Sequence, residues 1–405
     1  MVGVCTAYFL AEDGHDVVVI DRNRNVAQEA SFANASLLAP GHAGPWAAPG
    51  MTGRVLRGLW QAESAVTLKP GFDRALWKWL RRWRRECELE RFRLNKTRMQ
   101  RVAFYSRALM EQLRYYYQLE YERTQGLLQI FRTQRELKAA EPALAILAEH
   151  GVPHQLMDLD DARAVEPALA SPAEFAAALH LPQDESGNCP LFARRMKQIA
   201  ETLGVQFHLA TTVDAIEPES RGIALRIDGA RFPADAVVLA AGAHSAALLR
   251  PLGIDIPLRP VHGYSITALI ENYERAPHGS VVDETYKTSI ARMGGRVRVA
   301  GTAGFGANVQ ALQQRAVRTL TKVASDWFPQ AARYGSVNPW SGLLPMLPDG
   351  APLLGATPIP GLYLNIGHGT EGWAMAVGAG KVVADVVSGR EPEIDLEGLT
   401  LKRYG

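Results

Sequence analysis

The sequence predicts a mixed α/β fold that contains one parallel layer and one antiparallel sheet. Two observations carry this prediction. At the start of the chain, a helical pattern is followed by a glycine and by an apolar strand that ends in an acid. Over residues 260–301, apolar and polar residues alternate with a period of two. The 405 residues suffice for two or three domains. A hydrophobic content of 47% and a charged content of 21% exclude a disordered chain.

The first thirty residues have the pattern of the second half of a β-α-β unit. Residues 4–12 predict a helix closed by Gly14, and residues 17–20 are an apolar strand that ends in Asp21. In a Rossmann-like fold an acid at this position hydrogen-bonds a ribose, and the last glycine of G-x-G-x-x-G lies about 20 residues before it. Gly3 fits that glycine. The preceding strand and glycines are absent, so we expect an N-terminally truncated chain.

The rest of the chain alternates between predicted helices, strands and loops. Residues 31–50 predict a loop rich in Gly, Ala and Pro, and residues 74–101 predict a long basic helix or a helix pair. Further helices are predicted over 133–150, 191–203, 308–328 and 374–387. Strands are predicted over 126–132, 205–209, 212–216, 223–227, 236–239 and 362–366.

Because the two patterns interleave along the chain, we expect discontinuous domains. A Rossmann-like nucleotide-binding domain is predicted from residues 1–50, 151–245 and 345–405. A substrate or cap domain built on the antiparallel sheet is predicted from residues 51–150 and 246–344.

The C-terminal block is the most informative one for function. The strand at 362–366 enters a glycine-rich turn, residues 367–372, and then a helix. Glycines allow close approach of the backbone to a ligand, and a helix N-terminus favours a phosphate or a developing anion such as a reduced flavin. An ordinary strand–turn–helix corner is the alternative, and a structural role for His368 is favoured over a catalytic one.

Composition excludes several other classes of protein. The net charge of +2 argues against nucleic-acid binding, and Cys5, Cys87 and Cys189 have neither disulfide-framework nor metal-ligand spacing. No apolar run approaches the ~20 residues of a membrane span, and the N-terminus lacks a signal-peptide pattern. We therefore expect a cytoplasmic protein without a metal site.

Long stretches of the chain resemble one family. They include AYFLAEDGHDVVVIDR, SFANA, PGHAGPWAAPG, LPQDESGNCPLF, GLLPMLPDGAPLLG and LYLNIGHGTEGWAMAVGAGKVVADVVSGREPEID. From Gly3 to Tyr404 the chain resembles the bacterial D-amino acid dehydrogenase small subunits, which belong to the FAD-dependent amine and D-amino acid oxidoreductases. The resemblance implies FAD, a two-domain fold and oxidative deamination of D-amino acids to 2-oxo acids and ammonia, with electrons passed to a quinone or an electron-transfer partner.

The resemblance also implies site residues. Those implied to bind FAD are Gly3, Asp21, Arg22, Ser31, Asn34, Ala35, Val213, Gly242, Gly367, His368, Gly369, Thr370 and Gly372. On the substrate side, Tyr264 and Tyr286 are the candidates. The cofactor supplies the electron sink for hydride transfer from Cα, so a dedicated general base is not required.

Two kinds of departure from the family pattern stand out. Leu344 replaces the arginine of Gly-Leu-Arg-Pro that binds the substrate carboxylate, and a leucine cannot form charge-assisted bonds. Either Arg292 or Lys287 takes over this role, or the substrate differs, or activity is poor. Ser36, His262 and Glu371 also depart from the family, and we expect Glu371 to face solvent or a basic partner.

A basic aromatic stripe lies within residues 74–101, where Trp77, Trp79 and Trp83 alternate with arginines. It is interpreted either as a contact with the cytoplasmic face of the inner membrane or as a helix with buried tryptophans and a solvated charged face. Two alternatives to the D-amino acid dehydrogenase hypothesis remain. One is a flavin amine oxidase with a different small substrate, and the other is a degenerate, cofactor-free paralogue acting as a binding subunit.

Overall fold

The computed structural model describes residues 1–58, 63–68, 73–170, 174–220, 222–305 and 309–404. Its helices are α1 (Val2–Glu12), α2 (Met51–Gly58), α3 (Arg74–Glu86), α4 (Leu89–Tyr117), α5 (Gln134–Glu149), α6 (Leu159–Val165), α7 (Cys189–Thr202), α8 (Ser245–Leu249), α9 (Val309–Trp327) and α10 (Gly372–Val387).

The described strands belong to a small layer and a large sheet. They are β1 (Val18–Asp21), β2 (Leu37–Leu38), β3 (Val66–Leu68), β4 (Thr124–Phe131), β5 (Gln155–Met157), β6 (Ala177–Ser186), β7 (Gln206–Leu209), β8 (Ala215–Pro218), β9 (Ile223–Ile227), β10 (Ala230–Ala234), β11 (Val237–Leu239), β12 (Arg259–Leu269), β13 (Ser280–Asp283), β14 (Thr288–Met293), β15 (Arg296–Phe305), β16 (Asn338–Met346), β17 (Leu353–Ala356) and β18 (Leu362–Ile366).

Helix caps explain where several helices begin. Asn188 precedes α7 and its side chain accepts a hydrogen bond from the backbone N–H of Leu191 at 3.1 Å, with a proline in the first turn. Thr133 and Glu136 form a reciprocal capping box at the start of α5. These polar residues satisfy N–H groups that have no partner within the helix.

Parallel strand pairs form the small layer, as the sequence predicts. β1 pairs in parallel with β7, and β11 pairs in parallel with β18. α1 packs across this layer, where the amide of Asn365 in β18 donates to the hydroxyl of Thr6 at 2.9 Å. The residues between β7 and β11 form a separate three-stranded antiparallel sheet with the order β10-β9-β8.

Helix α10 is enclosed between α1 and α4, and two glycines permit this close packing. A Cβ atom on Gly380 would lie 2.9 Å from the backbone of Cys5 in α1. A Cβ atom on Gly378 would lie 2.8 Å from the backbone of Val102 and of Ser106 in α4. Because the two glycines point to opposite sides of the helix, the small-residue pattern of 374–387 reflects contact on both sides.

The large sheet has ten strands in the described chain. Its main path is β16-β12-β15-β14-β13-β4-β6-β2, with β3 added to β15 and β5 added to β6. The pairs β12–β15, β12–β16 and β14–β15 are antiparallel, which confirms the prediction from the alternation over 260–301. The mixed α/β fold class is therefore confirmed.

The two faces of the large sheet have different partners. On the outer face Ile266, Ile290 and Val299 pack in an apolar cluster with α9. On the inner face the side chains of Ser265 and Ser289 reach the loop that follows β1. The alternation of apolar and polar residues thus separates a core face from a face that holds a loop.

The predicted domain boundaries differ from the observed layers. β5 and β6 lie between residues 151 and 245 but belong to the large sheet, and α4, from 51–150, packs against α10. The sequence does not predict β6 as a strand, because Pro182 and the adjacent acids Asp184 and Glu185 hide a period-two pattern.

The basic segment 74–101 is a helix pair. α3 buries Leu76, Trp79 and Trp83, and the indole N–H of Trp79 donates to the carbonyl of Pro257 at 2.8 Å. Trp77 is 49% exposed, on the side where the arginines face solvent. Within the ranges that the structure describes, none of the helices combines the length and apolar content that crossing a bilayer requires.

Candidate functional site

The predicted cofactor residues follow the carboxyl ends of four parallel strands. Asp21 ends β1, the segment to Val213 follows β7, Gly242 follows β11 and Gly367 follows β18. Carboxyl ends of parallel strands meet at one edge of a layer, which is where ligands bind in open α/β sheets. The structure thus brings together at one edge residues that are far apart in sequence.

The turn after β1 is tied to the turn after β11. The guanidinium Nη2 of Arg22 lies 2.6 Å from Nε2 of His244, in the 3₁₀ turn that Gly242 begins, and 2.5 Å from the carboxylate of Glu29. The backbone N–H of Thr211, two residues before Val213, donates to the carbonyl of Asp21 at 3.0 Å.

Only one oxygen of the Asp21 carboxylate accepts hydrogen bonds from described residues. Its Oδ1 accepts from the backbone N–H of Asn23 at 2.8 Å and from the Asn23 amide at 3.1 Å. Among the described residues nothing donates to Oδ2. This oxygen is an acceptor for the hydroxyl groups of a ribose.

The N-terminus of α1 lies between these turns and the glycine-rich turn. A Cβ atom on Gly3 would be 3.3 Å from Cβ of Ala240, the residue after β11, so a larger side chain would push the helix away. The first N–H groups of a helix have no intrahelical acceptor and carry a partial positive charge. They suit the phosphates of a dinucleotide.

The inner face of the large sheet holds the loop that contains Ser31, Asn34 and Ala35. The hydroxyl of Ser265 donates to the carbonyl of Ala33 at 2.7 Å, and the hydroxyl of Ser289 donates to the carbonyl of Ala35 at 3.2 Å. Arg298, which is 8% exposed, donates to the carbonyl of Asn34 at 3.4 Å. Burial lowers the pKa of Arg298 to about 10.

Ser36 departs from the family glycine and has a left-handed backbone, with φ of +63°. Glycine adopts this region without strain, whereas serine needs support. The Asn34 side chain accepts from the Ser36 N–H at 3.1 Å, and the carbonyl of Ser36 accepts from the N–H of Gly187 at 2.9 Å. These bonds offset the strain and keep the loop conformation despite the substitution.

The glycine-rich turn is formed as the sequence predicts. Gly367 and Gly369 have φ of +80° and +55°, and a Cβ atom on Gly367 would clash with Leu347. Gly372 begins α10, and Thr370 donates to the carboxylate of Glu371 at 3.2 Å. The turn therefore exposes backbone groups next to the positive end of a helix.

His368 is buried in this turn, at 4% exposure. Burial, together with the positive charge of the Met1 α-amino group, lowers the pKa of His368 to about 3. Among the described residues its Nε2 has no hydrogen-bond partner. The neutral ring favours a structural or cofactor-contacting role over acid–base chemistry.

Next to the glycine turn lies a group that we call the acid–base cluster: His42, Lys96, Asp184, Lys287 and Glu371. Lys96 donates to the carbonyl of Ala43 at 2.8 Å, and Asp184 accepts from the backbone N–H groups of Gly41 and His42, each at 2.9 Å. Five separate segments thus bring titratable groups together, of which Lys96 and Asp184 are buried.

Burial disfavours the charged forms of four groups in the acid–base cluster. It raises the pKa of Glu371 to about 7, which Lys96 and Lys287 partly offset, and that of Asp184 to about 6. It lowers the pKa of Lys96 to about 8, and burial with the charges of Lys96 and Lys287 lowers that of His42 to about 4. Glu371 accepts from the hydroxyl of Thr370 at 3.2 Å and forms no ion pair with a described residue, so a basic partner for it stays a prediction.

The three predicted substrate-side residues lie on the outer face of the large sheet. Tyr264 packs in the cluster beneath α9, and His262 stacks on it with ring centroids 6.3 Å apart. The ring of Tyr286 makes cation–π contacts with Arg132 and with Lys322 of α9. The guanidinium of Arg292 lies over the ring of Tyr273. In the pairing of β14 with β15, Arg292 is opposite Val297, which belongs to the apolar cluster on the outer face.

The outer face thus separates these three side chains from the loop at 31–36, which the inner face holds. Side chains alternate between the two faces of a strand, so a shift of one residue decides the side. Lys287, the alternative to Arg292, lies on the inner side. Its Nζ is 2.6 Å from Glu284, which also binds Arg54 at 3.0 Å.

Comparison with known proteins decides the family. A family model described as FAD dependent oxidoreductase (DAO) matches residues 1–386. The chain belongs to this family. A D-amino acid dehydrogenase of Bradyrhizobium diazoefficiens is 42% identical over 407 residues, covering 100% of this chain and 97% of the relative. D-amino acid dehydrogenase 1 of Mesorhizobium japonicum has the same identity and coverage.

Solved structures support the fold. Glycine oxidase from Geobacillus kaustophilus is 24% identical, with a TM-score of 0.76, and the match covers 99% of this chain and 96% of that one. L-proline dehydrogenase from P. horikoshii has a TM-score of 0.71 at 17% identity, covering 100% and 95%. The expected N-terminal truncation is not supported, since the curated relatives are matched over 97% of their length.

The residues present fit FAD, the cofactor of the family. Glycines at 3, 367 and 369 give close backbone approach, and Oδ2 of Asp21 is available as a hydroxyl acceptor. The predicted FAD dependence is therefore confirmed at the level of the family, while the individual contacts remain predictions. Sequence reasoning missed Lys96, Asp184 and Arg298, because charged residues on a helix or strand are usually solvent-exposed.

Proposed function

We propose that this protein is an FAD-dependent D-amino acid dehydrogenase, which deaminates D-amino acids oxidatively to 2-oxo acids and ammonia. The observation that carries the proposal is the convergence of four strand ends, the loop at 31–36 and the glycine turn at one edge of the parallel layer. Relatives named D-amino acid dehydrogenase are 42% identical to this chain over its full length.

The proposal assigns the cofactor contacts by position. Asp21, Arg22, Val213 and Gly242 form the adenosine side, with Gly3 at the pyrophosphate. Ser31, Asn34 and Ala35, together with the turn of Gly367, His368, Gly369, Thr370 and Gly372, form the flavin side. Bound FAD supplies a two-electron sink for the hydrogen on Cα of the substrate.

The protein's own groups then position the substrate and control charge. The glycine turn at the positive end of α10 favours negative charge on the pyrimidine edge of the cofactor. Protonated Glu371 adds no negative charge there, and its raised pKa of about 7 keeps much of it protonated near neutrality. Lys96 offsets the remaining charge.

We propose Lys287, in place of Arg292, as the group that binds the substrate carboxylate. Leu344 belongs to an apolar cluster with Val261 and Met346 and offers no donor. The ammonium of Lys287 has three N–H donors and its ion pair with Glu284 uses one of them. Arg292 lies across the sheet from the FAD-side loop.

The proposal also includes the electron acceptor and a membrane contact. We propose a respiratory acceptor and a peripheral contact of α3 with the cytoplasmic face of the inner membrane. The exposed side of α3 carries Trp77 among arginines, the composition that anionic lipid surfaces attract. The buried Trp79 and Trp83 restrict this contact to one side of the helix.

The test is anaerobic reduction of the purified flavoprotein. D-Alanine is expected to bleach the flavin absorbance, and L-alanine, the matched control, is expected to leave it unchanged. Absence of bound flavin would favour the cofactor-free alternative.

A flavin amine oxidase with a different small substrate is the second candidate, because Leu344 replaces the family arginine. Bound flavin that is bleached by small amines lacking a carboxylate, but by no D-amino acid, would favour this candidate.

A further inference from the structure

A polar cavity of about 420 Å³ lies between α4, β4 and β6, away from the proposed FAD contacts. Its charged lining consists of Arg107, Arg114, Arg123, Glu111 and Glu185, and two glutamines complete it. The volume lies within the roughly 300–1,000 Å³ of small-molecule sites, whereas the lining is far more polar than usual. Such a lining selects a charged ligand.

The arginines have unused donors that face a common space. Arg114 uses only Nη1, which donates to Tyr121 at 3.1 Å and to Glu185 at 3.0 Å. Arg123 likewise uses only Nη1, at 2.6 Å from Glu185. Each guanidinium has five N–H groups, so Nε and Nη2 of both residues remain available among the described contacts.

Glu185 holds these two arginines in place. Its side chain is 10% exposed, and behind it lies Tyr121, whose residue exposure is 1%. One carboxylate thus fixes two guanidinium groups before any ligand arrives, which reduces the entropy lost on binding. Arg107 is fixed separately by Gln183 at 3.0 Å.

The charge balance leaves room for one negative group. Three arginines face two glutamates, and Glu111 is a weak partner, since its carboxylate is 3.8 Å from Arg107 and its side chain is 54% exposed. A monoanion would neutralise the lining. Carboxylates accept parallel bonds from arginine forks, a geometry that a neutral group cannot use.

A much smaller hollow adjoins the cavity on the side of α10. It shares Arg107, Glu111, Arg114 and Glu185 with the cavity and extends to Leu38, Pro40 and Ala374. Ala374 lies in the first turn of α10, directly after the glycine turn. This hollow holds only about 10 Å³, too little for an organic molecule to pass, so the cavity is separate from the proposed flavin side.

We propose that this arginine cavity binds a small organic monocarboxylate, specifically a 2-oxo acid. The choice of a 2-oxo acid rests on the proposed function, which forms 2-oxo acids as products, while the choice of a monocarboxylate rests on the charge of the lining. The cavity would hold the product anion, or the same anion supplied from outside, at a place separate from the substrate site.

The experiment uses the FAD-loaded protein and 2-oxoisovalerate as the probe. Calorimetric titration gives total binding, and flavin absorbance reports occupancy of the cofactor side. We expect a binding event that leaves the flavin spectrum unchanged. R107Q and R123Q are each expected to weaken that event about tenfold or more, in line with the loss of a charged hydrogen bond.

R91Q is the matched control, because Arg91 is an exposed arginine on the same helix outside the cavity. It is expected to bind like the unmodified protein. The neutral ketone 3-methyl-2-butanone, which lacks the carboxylate, and inorganic phosphate are expected to bind weakly.

Unchanged 2-oxoisovalerate affinity in R107Q and R123Q would overturn the proposal, as would equal binding of the ketone or of phosphate. Absence of a spectrally silent binding event in the unmodified protein would overturn it too. If D-alanine fails to bleach the flavin while arginine-dependent 2-oxoisovalerate binding persists, the carboxylate site is supported and the proposed catalytic function fails.

Discussion

Arg22 and His244 are 222 positions apart in sequence, yet Nη2 of the arginine lies 2.6 Å from Nε2 of the histidine. This contact joins the turn after β1 to the turn after β11. It places Asp21 and Gly242 at the same edge of the parallel layer, so the adenosine side of the proposed site is assembled from both segments.

Asp21→Asn is expected to weaken FAD binding about tenfold or more. The amide keeps the fold of the turn but loses a charged acceptor for ribose hydroxyls. Fluorescence titration of the flavin-free protein with FAD measures the effect. Asp16→Asn, at an exposed position nearby, is the control and should bind normally. Equal affinity of both variants would contradict the ribose assignment.

Gly380→Val is expected to destabilise the protein by roughly 1–3 kcal/mol, the usual result of overpacking. Its Cβ would lie 2.9 Å from the backbone of Cys5, so α1 and α10 would have to separate. Thermal unfolding followed by circular dichroism measures the change. Gly335→Ala, where nothing lies within 4 Å of the added atom, should leave the unfolding temperature nearly unchanged.

Lys287→Ala is expected to raise the KM for D-alanine roughly ten- to a hundredfold, since a charged contact to the carboxylate is lost. Lys287→Arg should retain most of the affinity, because the positive charge remains. Arg292→Ala should leave KM unchanged, given its position on the outer face. Steady-state kinetics with each variant measures these effects. A raised KM in Arg292→Ala alone would restore the original assignment.

Glu371→Gln is expected to change how stability depends on pH. The pKa of Glu371 is raised in the folded state to about 7, so its burial opposes folding progressively as pH rises from about 4.5 to 7. Glutamine removes this penalty. The variant should therefore unfold at a higher temperature than the unmodified protein at pH 8, with the gap closing near pH 4.5. Thermal scans at several pH values would contradict this if the gap stayed constant.

Changing Arg81, Arg82, Arg84 and Arg85 to Gln is expected to release the protein from anionic vesicles. All four arginines are exposed on α3, and each contributes about 1 kcal/mol of attraction to an anionic surface. Vesicle co-sedimentation measures binding, and uncharged phosphatidylcholine vesicles are the control. If the unmodified protein fails to bind anionic vesicles, α3 has only a solvated charged face.

The strand ends of the proposed cofactor edge could be predicted because their signals are local. An apolar run followed by Asp21, and a strand followed by Gly367 and Gly369, are each visible within ten residues. Two strands, β9 and β18, were predicted with their observed bounds for the same reason. Over residues 74–101 the sequence predicts either one long helix or a helix pair, and the break at residues 87–88 shows that the pair is formed.

The inner-face residues could not be predicted, because their side depends on long-range pairing. Ser265 and Arg298 point to the loop only because β12, β14 and β15 align in one register and α9 covers their other side. Lys96 is similar. A lysine in a strongly basic helix is usually solvated, but here α4 packs against residues 41–43 and leaves it 4% exposed.

The enclosure of α10 between α1 and α4 also bears on how the chain folds during synthesis. The first helix of the protein cannot complete its contacts until the last long helix has left the ribosome, because Cys5 and Gly380 meet in the finished structure. Contacts between such distant segments form slowly and leave apolar surface uncovered in the meantime. The nascent α1 therefore keeps apolar surface exposed until α10 has been made, and removal of α10 would leave that surface without its partner.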